Sequence, residues 1–277
     1  MLVSSHEMLK TALQKGYAIP SPDYVDSNSC RAFTQVASEL HAPLILSFAE
    51  VHMDHLSLEE AADLGKFYGE RADAPIALHL DHGVHFDVIE QAIRLGFTSV
   101  MIDASKESLE ENIRLTKEVC QLAHAYGVTV EAEIGHVGAE DDDCPHGTSA
   151  NVYTEVASAQ RLIDETGVDS LAVSIGTSHG VYKMGTPHIN FERLAELNTA
   201  LGIPLVLHGG SGTGDENLAR CAQGGIAKVN LYTDFIVAAL NRVYDEHPEH
   251  WLDVLETGSA AMRDVLLHYY KVLRCVE

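Results

Sequence analysis

The feature that most constrains the fold is an alternation of short apolar segments with helical segments along the whole chain. Eight apolar segments of strand length alternate with segments in which apolar residues recur at helical spacing. Some of the apolar segments, such as Pro43–Ala49 and Pro75–Leu80, are continuous, which is typical of strands covered on both faces of a parallel sheet. The sequence therefore predicts an α/β protein built on a parallel sheet.

The individual elements follow from the same periodicity and from glycines that end several helices. The predicted strands are Tyr17–Ser21, Pro43–Ala49, Pro75–Leu80, Thr98–Asp103, Val128–Gly135, Ser170–Gly176, Pro204–Gly209 and Ala227–Tyr232. The predicted helices are Met8 up to Gly16, Arg31–Leu40, Ser57–Arg71, Phe86–Leu95, Ser108–Tyr126, Glu155–Thr166, Phe191–Leu201, Glu216–Gln223 and further helices within Asp234–Val276. The spacings Ser4-x-x-Glu7 and Ser57-x-x-Glu60 predict capping boxes.

The simplest closed arrangement of these elements is a (β/α)8 TIM barrel with extra C-terminal helices. No Pro/Ser-rich linker, charge block or low-complexity segment interrupts the chain, so residues 1–277 are predicted to form a single domain. The alternative is an open, doubly wound sheet, but no Gly-x-Gly-x-x-Gly follows the first strand. The longest irregular stretch, Gly138–Thr154, is predicted to be a lid.

Composition restricts the partners. The formal net charge of −23 opposes extended contact with a phosphate backbone, so nucleic acid is not an expected partner. No apolar run reaches the length of a membrane span, and Met1–Lys10 lacks an apolar signal core. The five cysteines are scattered without a close pair, which suits thiols in a reducing, cytoplasmic compartment.

Polar side chains follow most of the predicted strands, at the ends that would meet at one rim of a barrel. In chain order they are Asp81 and His82, Asp103, Glu131 and Glu133, His179, His208 and Asn230. A single histidine after a strand is usually an ordinary loop residue. Three of them on one rim, His82, His179 and His208, predict a three-nitrogen Zn²⁺ site with an open position, as in catalytic zinc centres.

Glycines and hydroxyls near the same rim predict a phosphate site. Loops after strands seven and eight of barrels commonly bind phosphate through backbone amides and hydroxyls. The candidate donors are Gly180, Lys183, Gly209, Ser211, Asn230 and Thr233. A metal beside a phosphate, with a carboxylate next to a metal ligand, suggests a phosphorylated ketone whose carbonyl the metal polarises while an acid protonates the departing alkoxide.

Several of these segments resemble one family. Leu78-His-Leu-Asp-His-Gly83 and Val130-Glu-Ala-Glu-Ile-Gly-His-Val-Gly138 are similar to the two signature motifs of the class II, metal-dependent ketose-bisphosphate aldolases, and the length is closest to the tagatose-bisphosphate branch. Further matching segments are Ser99-Val-Met-Ile-Asp-Ala-Ser105, Ile175-Gly-Thr-Ser-His-Gly180, Leu205-Val-Leu-His-Gly209 and Lys228-Val-Asn230. The resemblance therefore covers most of the chain.

The resemblance implies a role for each matching residue. His82, His179 and His208 would hold one catalytic Zn²⁺, and Asp81 would be the proton donor to the C4 oxygen. Asp103 and Glu133 would hold a second divalent or monovalent cation, or the outer position of the metal. The implied site for dihydroxyacetone phosphate consists of Gly180, Lys183, Gly209, Gly210, Ser211, Asn230, Leu231, Tyr232 and Thr233.

The reaction that the resemblance implies is reversible aldol cleavage of a phosphorylated ketose to dihydroxyacetone phosphate and an aldehyde. The family implies a cytoplasmic enzyme that forms a homodimer or a homotetramer. The proton-abstracting Glu of the family's mobile loop normally lies one position after Glu140, where this chain has Asp141, so either residue is the predicted lid base.

The chain departs from the family where the distal end of the substrate would bind. Asp23 stands where the family usually has Asn, and the second strand ends in Leu46-Ser-Phe-Ala-Glu-Val-His52, without the Gln or Ser expected to contact the substrate. Asp23 and Ser47 are the candidate substrate contacts in these two segments. The family often has an Arg for the distal phosphate where this chain has Glu249-His-Trp-Leu-Asp253.

The acidic residues Glu50, Asp54 and Asp23 near the mouth would repel a second phosphate. A ketose 1-phosphate with an unphosphorylated tail is therefore the hypothesis, beside a bisphosphate such as tagatose or fructose 1,6-bisphosphate.

Two other functions remain open from the residues alone. A metal-dependent hydrolase could use the same barrel, although such sites usually begin with His-x-His after the first strand and this chain has Ser21-Pro-Asp23. A non-catalytic sugar-phosphate-binding protein is the second alternative. Release of dihydroxyacetone phosphate would distinguish the aldolase from both.

Overall fold

A computed structural model describes residues 1–135, 153–178, 180, 182 and 185–276. Eight parallel strands are hydrogen-bonded in the order β1-β8-β7-β6-β5-β4-β3-β2. The strands are β1 (Ile19–Pro22), β2 (Leu44–Ala49), β3 (Ile76–Gly83), β4 (Ser99–Ile102), β5 (Thr129–Ile134), β6 (Ser170–Val173), β7 (Leu205–Leu207) and β8 (Ile226–Leu231). This order confirms the predicted (β/α)8 TIM barrel and excludes the open, doubly wound sheet.

Helices surround the strands. They are α1 (His6–Lys15), α2 (Ser27–Leu40), α3 (Leu58–Gly69), α4 (Phe86–Leu95), α5 (Leu109–Ala125), α6 (Val156–Thr166), α7 (Phe191–Leu201), α8 (Asp215–Gln223), α9 (Thr233–Glu246) and α10 (Trp251–Val272). A short 3₁₀ helix, Glu50–His52, follows β2. The additional C-terminal helix, α10, packs on α9 and α2, and the hydroxyl of Tyr270 donates a hydrogen bond to the carbonyl of Pro43.

The barrel closes between its first two strands. β1 pairs in parallel with β8 in a register that places Ser21 opposite Asn230. An isolated parallel bridge joins Asp23 to Ser47, and the amide of Tyr24 donates to the carbonyl of Ser47 at 2.9 Å. The strand C-termini therefore form a continuous rim.

The two predicted capping boxes have different outcomes. The box at Ser57 is confirmed, because its side chain accepts from the amide of Glu60 while the Glu60 side chain accepts from the Ser57 amide. The box at Ser4 is wrong, since α1 begins one residue later, after Ser5. The Ser5 hydroxyl does not cap the helix but lies 2.7 Å from the Thr129 hydroxyl at the closed end of the barrel.

The first strand also begins later than the periodicity predicts. Gly16 ends α1 in the left-handed region with φ +70°, and the amide of Tyr17 still donates to the carbonyl of Ala12. Tyr17 therefore belongs to the C-terminal cap of the helix, and β1 starts at Ile19.

Within the described part of the chain, no helix has both the length and the apolar character needed to cross a membrane.

Candidate active site

The C-terminal end of β3 presents two functional side chains to one cleft. Consecutive residues of a regular strand point to opposite faces, so Asp81 and His82 would be separated. The pairing of β3 with β4 shifts register between Leu80 and Gly83, and His82 adopts a left-handed backbone conformation with φ +46°. Because of this irregularity, both Asp81 and His82 line the cleft.

Asp103, which directly follows β4, orients His82. Its Oδ2 lies 2.9 Å from Nδ1 of His82, while its Oδ1 accepts from the amide and the hydroxyl of Ser105 at 3.1 and 2.7 Å. Although burial acts to raise the pKa of Asp103, the hydrogen bond and charge of His82 lower it below its usual value. Nδ1 of His82 thus faces Asp103, while Nε2 of the same ring lies 3.9 Å from Oδ2 of Asp81.

Two glutamates on β5 flank His208. Glu131 and Glu133 lie two residues apart and therefore on the same face of the strand. Oε1 of Glu131 lies 3.0 Å from Nε2 of His208, and Oε2 of Glu133 lies 3.1 Å from its Nδ1. His208 is completely buried. Each ring nitrogen of His208 thus faces a different carboxylate, Nε2 that of Glu131 and Nδ1 that of Glu133.

These residues fit a divalent metal ion. Donor atoms about 2.0–2.1 Å from a tetrahedral zinc ion lie about 3.3 Å from one another. One donor atom from each of Asp81, His82 and His208 lies within 4.8 Å of the other two, and the two histidine rings are 4.6 Å apart. Small side-chain shifts would therefore bring both imidazoles onto one ion.

A second group can also hold a cation. The donor atoms of His82, Asp103 and Glu133 lie within the same 4.8 Å limit. This group contains the two carboxylates that were predicted for a second cation or for the outer position of the metal. The third predicted histidine, His179, lies outside the described residues.

The loops after β7 and β8 provide the polar backbone predicted for a phosphate. Gly209 has φ +66°, and a Cβ atom there would lie 2.3 Å from the carbonyl oxygen of Ser178, so a side chain does not fit. The Ser211 hydroxyl accepts from the amides of Tyr232 and Asp234, both at 3.3 Å. The N-terminus of α9 thus lies beside the Gly209 loop, and helix N-termini favour anions.

A cleft of about 570 Å³ joins these features. Its predicted lining residues are Asp23, Asp81, His82, Asp103, Gly180, Gly209, Gly210, Ser211, Asn230, Leu231, Tyr232 and Thr233. Sequence reasoning did not identify four further lining residues, Ala49, Val51, His52 and Lys106. Val51, His52 and Lys106 could have been predicted from their positions shortly after β2 or β4, because the loops that follow barrel strands form the rim.

Some predicted site residues do not line this cleft. Glu133 is buried beside His208 on β5. Ser47 is buried inside the barrel, where its hydroxyl lies 2.7 Å from that of Ser21. The predicted lid residues Glu140 and Asp141 lie outside the described residues, as does Lys183.

Asp23 and Asp81 are buried carboxyls at the same cleft, and their pKa values move in opposite directions. Burial raises the pKa of Asp23 well above its usual value, and the charge of Asp81 raises it further. Burial also acts to raise the pKa of Asp81, but the charges of His82, Lys228 and His208 contribute to lowering it well below its usual value. Asp81 is therefore the ionised member of the pair.

Residues 3–277 match the family described as fructose-bisphosphate aldolase class-II. The chain belongs to this family. The class II aldolase shares the barrel with solved structures of two bacterial aldolases. One is the YdjI aldolase from Escherichia coli, with 32% identity, 99% of this chain and 97% of that chain covered, and a TM-score of 0.89. The other is the fructose-bisphosphate aldolase from Campylobacter jejuni, with 24% identity, coverage of 99% and 96%, and a TM-score of 0.84.

Family membership confirms that this class II aldolase is a carbon–carbon lyase rather than a hydrolase. Class II aldolases depend on a metal ion, and the residue groups around His82 and His208 are possible sites for it.

Proposed function

We propose that this class II aldolase cleaves a ketose 1-phosphate, whose distal end has no phosphate, to dihydroxyacetone phosphate and an aldehyde. The two ends of the cleft support this proposal because they differ in chemistry. The loops after β7 and β8, with Gly209, Ser211 and the N-terminus of α9, suit the phosphate. The other end, between β1, β2 and β8, is the place for the sugar tail.

The observation that carries the proposal is the neutral character of this distal end. The ring of His52 packs on the ring of Tyr232 with centroids 4.8 Å apart, and Asp23 lies on the adjacent strand end. Burial lowers the pKa of His52 and raises the pKa of Tyr232, while burial and Asp81 raise the pKa of Asp23. Each shift favours the uncharged form of its side chain.

Unpaired polar atoms at this end suit hydroxyl groups. Oδ1 of Asp23, Nδ1 of His52 and Oδ1 of Asn230 are buried and have no hydrogen-bond partner among the residues that the structure describes. Sugar hydroxyls both donate and accept, so they can satisfy all three atoms. A phosphate dianion placed there would be desolvated without a cation, which costs several kcal/mol.

The one lysine or arginine in the described lining of the cleft, Lys106, lies after β4, and β3 separates β4 from β2. It follows Asp103 by three residues. Among the described lining residues, none of those on or after β1, β2 and β8 is a lysine or an arginine.

The structure changes the reason for disfavouring a second phosphate. Glu50 was expected to repel it, but its carboxylate is turned to the β3–α4 loop, where it accepts from the amides of Val84 and His85 and from the His85 ring. Asp54 is exposed and does not line the cleft. Neutral side chains, with no lysine or arginine among the described lining residues of this end, rather than a surplus of negative charge, disfavour the distal phosphate.

We propose that Zn²⁺ is the metal and that His82, His208 and His179 hold it. When bound, the ion supplies Lewis-acid polarisation of the ketose carbonyl. Asp81 provides the proton-transfer group. In cleavage its ionised carboxylate accepts the proton of the C4 hydroxyl as the C3–C4 bond breaks and the aldehyde forms. In condensation the same carboxyl returns that proton to the C4 oxygen.

The electron pair of the broken bond stays on C3 of the dihydroxyacetone phosphate portion. A proton from the lid, predicted to come from Glu140 or Asp141, then completes the second product. Asn230 positions the first proton acceptor, because its Nδ2 donates to Oδ1 of Asp81 at 2.8 Å. This bond leaves Oδ2 of Asp81 as the oxygen available for the C4 hydroxyl.

The proposal is tested by measuring release of dihydroxyacetone phosphate from matched ketose 1-phosphates and 1,6-bisphosphates, each with and without a chelator. We expect kcat/KM at least about tenfold higher for the 1-phosphates, since one missing charge-assisted contact is worth about 1.5–3 kcal/mol. The chelator should abolish turnover, and added Zn²⁺ should restore it.

A higher kcat/KM for fructose or tagatose 1,6-bisphosphate would overturn the substrate assignment. Binding of metal and phosphate without turnover of any substrate would favour the non-catalytic alternative instead.

A further inference from the structure

Lys228 is a buried cation with no part in the proton transfers proposed above. It lies on β8 inside the barrel and is 1% exposed. Its Nζ donates to Oε2 of Glu131 at 2.7 Å, lies 3.1 Å from Nε2 of His79 and is 3.8 Å from Oδ1 of Asp81. An ammonium group is stable in such a place only when its partners satisfy it.

Glu131 connects this cation to His208. One carboxylate oxygen, Oε2, accepts from Lys228, and the other, Oε1, lies 3.0 Å from Nε2 of His208. A carboxylate can only accept, so Nε2 carries the hydrogen of this bond. The nitrogen on the other side of the ring, Nδ1, lies 3.1 Å from Oε2 of Glu133 and is the one that would bind a metal.

The opposite side of Lys228 is anchored to the closed end of the barrel. Because the ammonium donates to Nε2 of His79, the hydrogen of this imidazole is on Nδ1, which lies 2.8 Å from the Ser99 hydroxyl. The hydroxyl of Ser5 lies 3.3 Å from that of Ser99 and 2.7 Å from that of Thr129. The ammonium is thus held between the barrel floor and Glu131.

We propose that Lys228 is a positioning residue for the metal centre, acting through Glu131 to fix the ring orientation and tautomer of His208. This inference rests on the proposed role of His208 as a metal ligand. Hydrogen-bond partners of ligating histidines typically change metal affinity by about 10–100-fold when they are removed. Lys228 contacts Glu131 rather than His208 itself, so its effect on His208 requires Glu131.

The test is a double-mutant cycle read out by Zn²⁺ affinity, measured by competition with a chromogenic chelator. We expect Lys228→Met and Glu131→Gln each to weaken Zn²⁺ binding by about 10–100-fold. If Lys228 acts through Glu131, the double variant should bind Zn²⁺ about as weakly as Glu131→Gln alone. Unchanged affinity in Lys228→Met, or losses that multiply in the double variant, would overturn the inference.

The double variant also guards against loss of folding. Lys228→Met removes the cation from Oε2 of the buried Glu131 carboxylate and can prevent folding, whereas the double variant removes the cation and the carboxylate together. The Zn²⁺ affinities of the double variant and of Glu131→Gln then decide whether Lys228 acts through Glu131. Weaker Zn²⁺ binding by the double variant than by Glu131→Gln contradicts the proposal. Tyr270→Phe is the matched control, because it removes the hydrogen bond of another buried side chain and should lower stability without changing Zn²⁺ affinity.

His208→Ala separates this inference from the proposed function. If His208→Ala leaves the Zn²⁺ affinity unchanged, the proposed metal site is wrong. If that variant loses Zn²⁺ while Lys228→Met retains the affinity of the unmodified protein, only the role of Lys228 is wrong.

Discussion

Replacement of Asp81 by asparagine should separate the two halves of the aldolase reaction. Asparagine has nearly the same volume, and its side-chain oxygen can still accept the 2.8 Å hydrogen bond from Nδ2 of Asn230. Asp81 is 2% exposed, so an isosteric change avoids a cavity. The variant therefore loses the proposed proton-transfer group while its surroundings stay packed.

The expected loss is set by the proton transfer alone. General acid–base catalysis by a positioned side chain contributes about 10²–10⁴-fold, which corresponds to about 2.7–5.4 kcal/mol of activation free energy. Oδ2 of Asp81 lies 3.9 Å from Nε2 of His82, and the other ring nitrogen, Nδ1, has its own hydrogen bond to Asp103. Metal affinity should therefore change by less than about tenfold, well below the loss of cleavage.

Two assays distinguish the halves. Cleavage is measured as dihydroxyacetone phosphate released from the ketose phosphate. Exchange of the hydroxymethyl hydrogen of dihydroxyacetone phosphate with deuterated solvent is followed by NMR, and this step needs the metal and the lid base but not the C4 oxygen. Asp81→Asn should lose cleavage by about 10²–10⁴-fold and keep exchange within about tenfold.

Asp103→Asn is the matched control, since it changes another cleft carboxylate, the one that orients His82. This variant should lose Zn²⁺ affinity and both activities together. The assignment of Asp81 is refuted if Asp81→Asn cleaves at the unmodified rate, or if its cleavage and exchange fall in parallel.

Three further predictions follow from the site. Although burial acts to lower it, hydrogen bonds to Glu131 and Glu133 raise the pKa of His208 to about 10 in the metal-free protein. Zn²⁺ bound to His208 must displace this proton, so binding at pH 8 should release at least about one proton, and the Zn²⁺ affinity should rise as the pH rises towards 10. Calorimetry in two buffers of different ionisation enthalpy measures the number of protons released. A number of zero would contradict the prediction. Gly209→Ala should raise KM at least about tenfold, because its Cβ would lie 2.3 Å from the Ser178 carbonyl oxygen. The control Gly202→Ala, also at positive φ but with open space around it, should only lower stability. Equal KM values of the two variants in steady-state kinetics would contradict this prediction. His52→Arg should raise kcat/KM for a 1,6-bisphosphate relative to the 1-phosphate by about tenfold, because the guanidinium adds a charge-assisted contact at the distal end. The exposed control His55→Arg should leave this ratio of kcat/KM values unchanged. An unchanged ratio in His52→Arg would contradict the neutral distal end.

The sequence alone determined most of the fold because its signals are local. Apolar spacing predicted Phe86–Leu95, with Gly96 at its end, and Phe191–Leu201 with the bounds that the structure shows. The errors lie at the ends of elements. At Ser4 and Tyr17, hydrogen bonds to distant or preceding residues decide the boundary. The strand predicted to end at Gly176 ends at Val173, and the helix predicted to begin at Arg31 begins at Ser27. Residue types at strand ends could be read as a site because parallel strands in a barrel end at one rim.

The geometry of the site depended on contacts between distant parts of the chain. Strict alternation along β3 would have placed Asp81 and His82 on opposite faces, and only the register shift against β4 brings both into the cleft. Glu131 contacts residues 77 and 97 positions away, His208 and Lys228.

Apolar periodicity reports which side of an element is buried, and this determined the barrel and the rim from the sequence alone. It does not report which polar groups meet inside, because hydrogen bonds form at about 3 Å and depend on the exact positions of several strands. Tertiary structure alone therefore decided that Lys228 pairs with Glu131, that Glu50 turns away from the cleft, and that His52 packs against Tyr232.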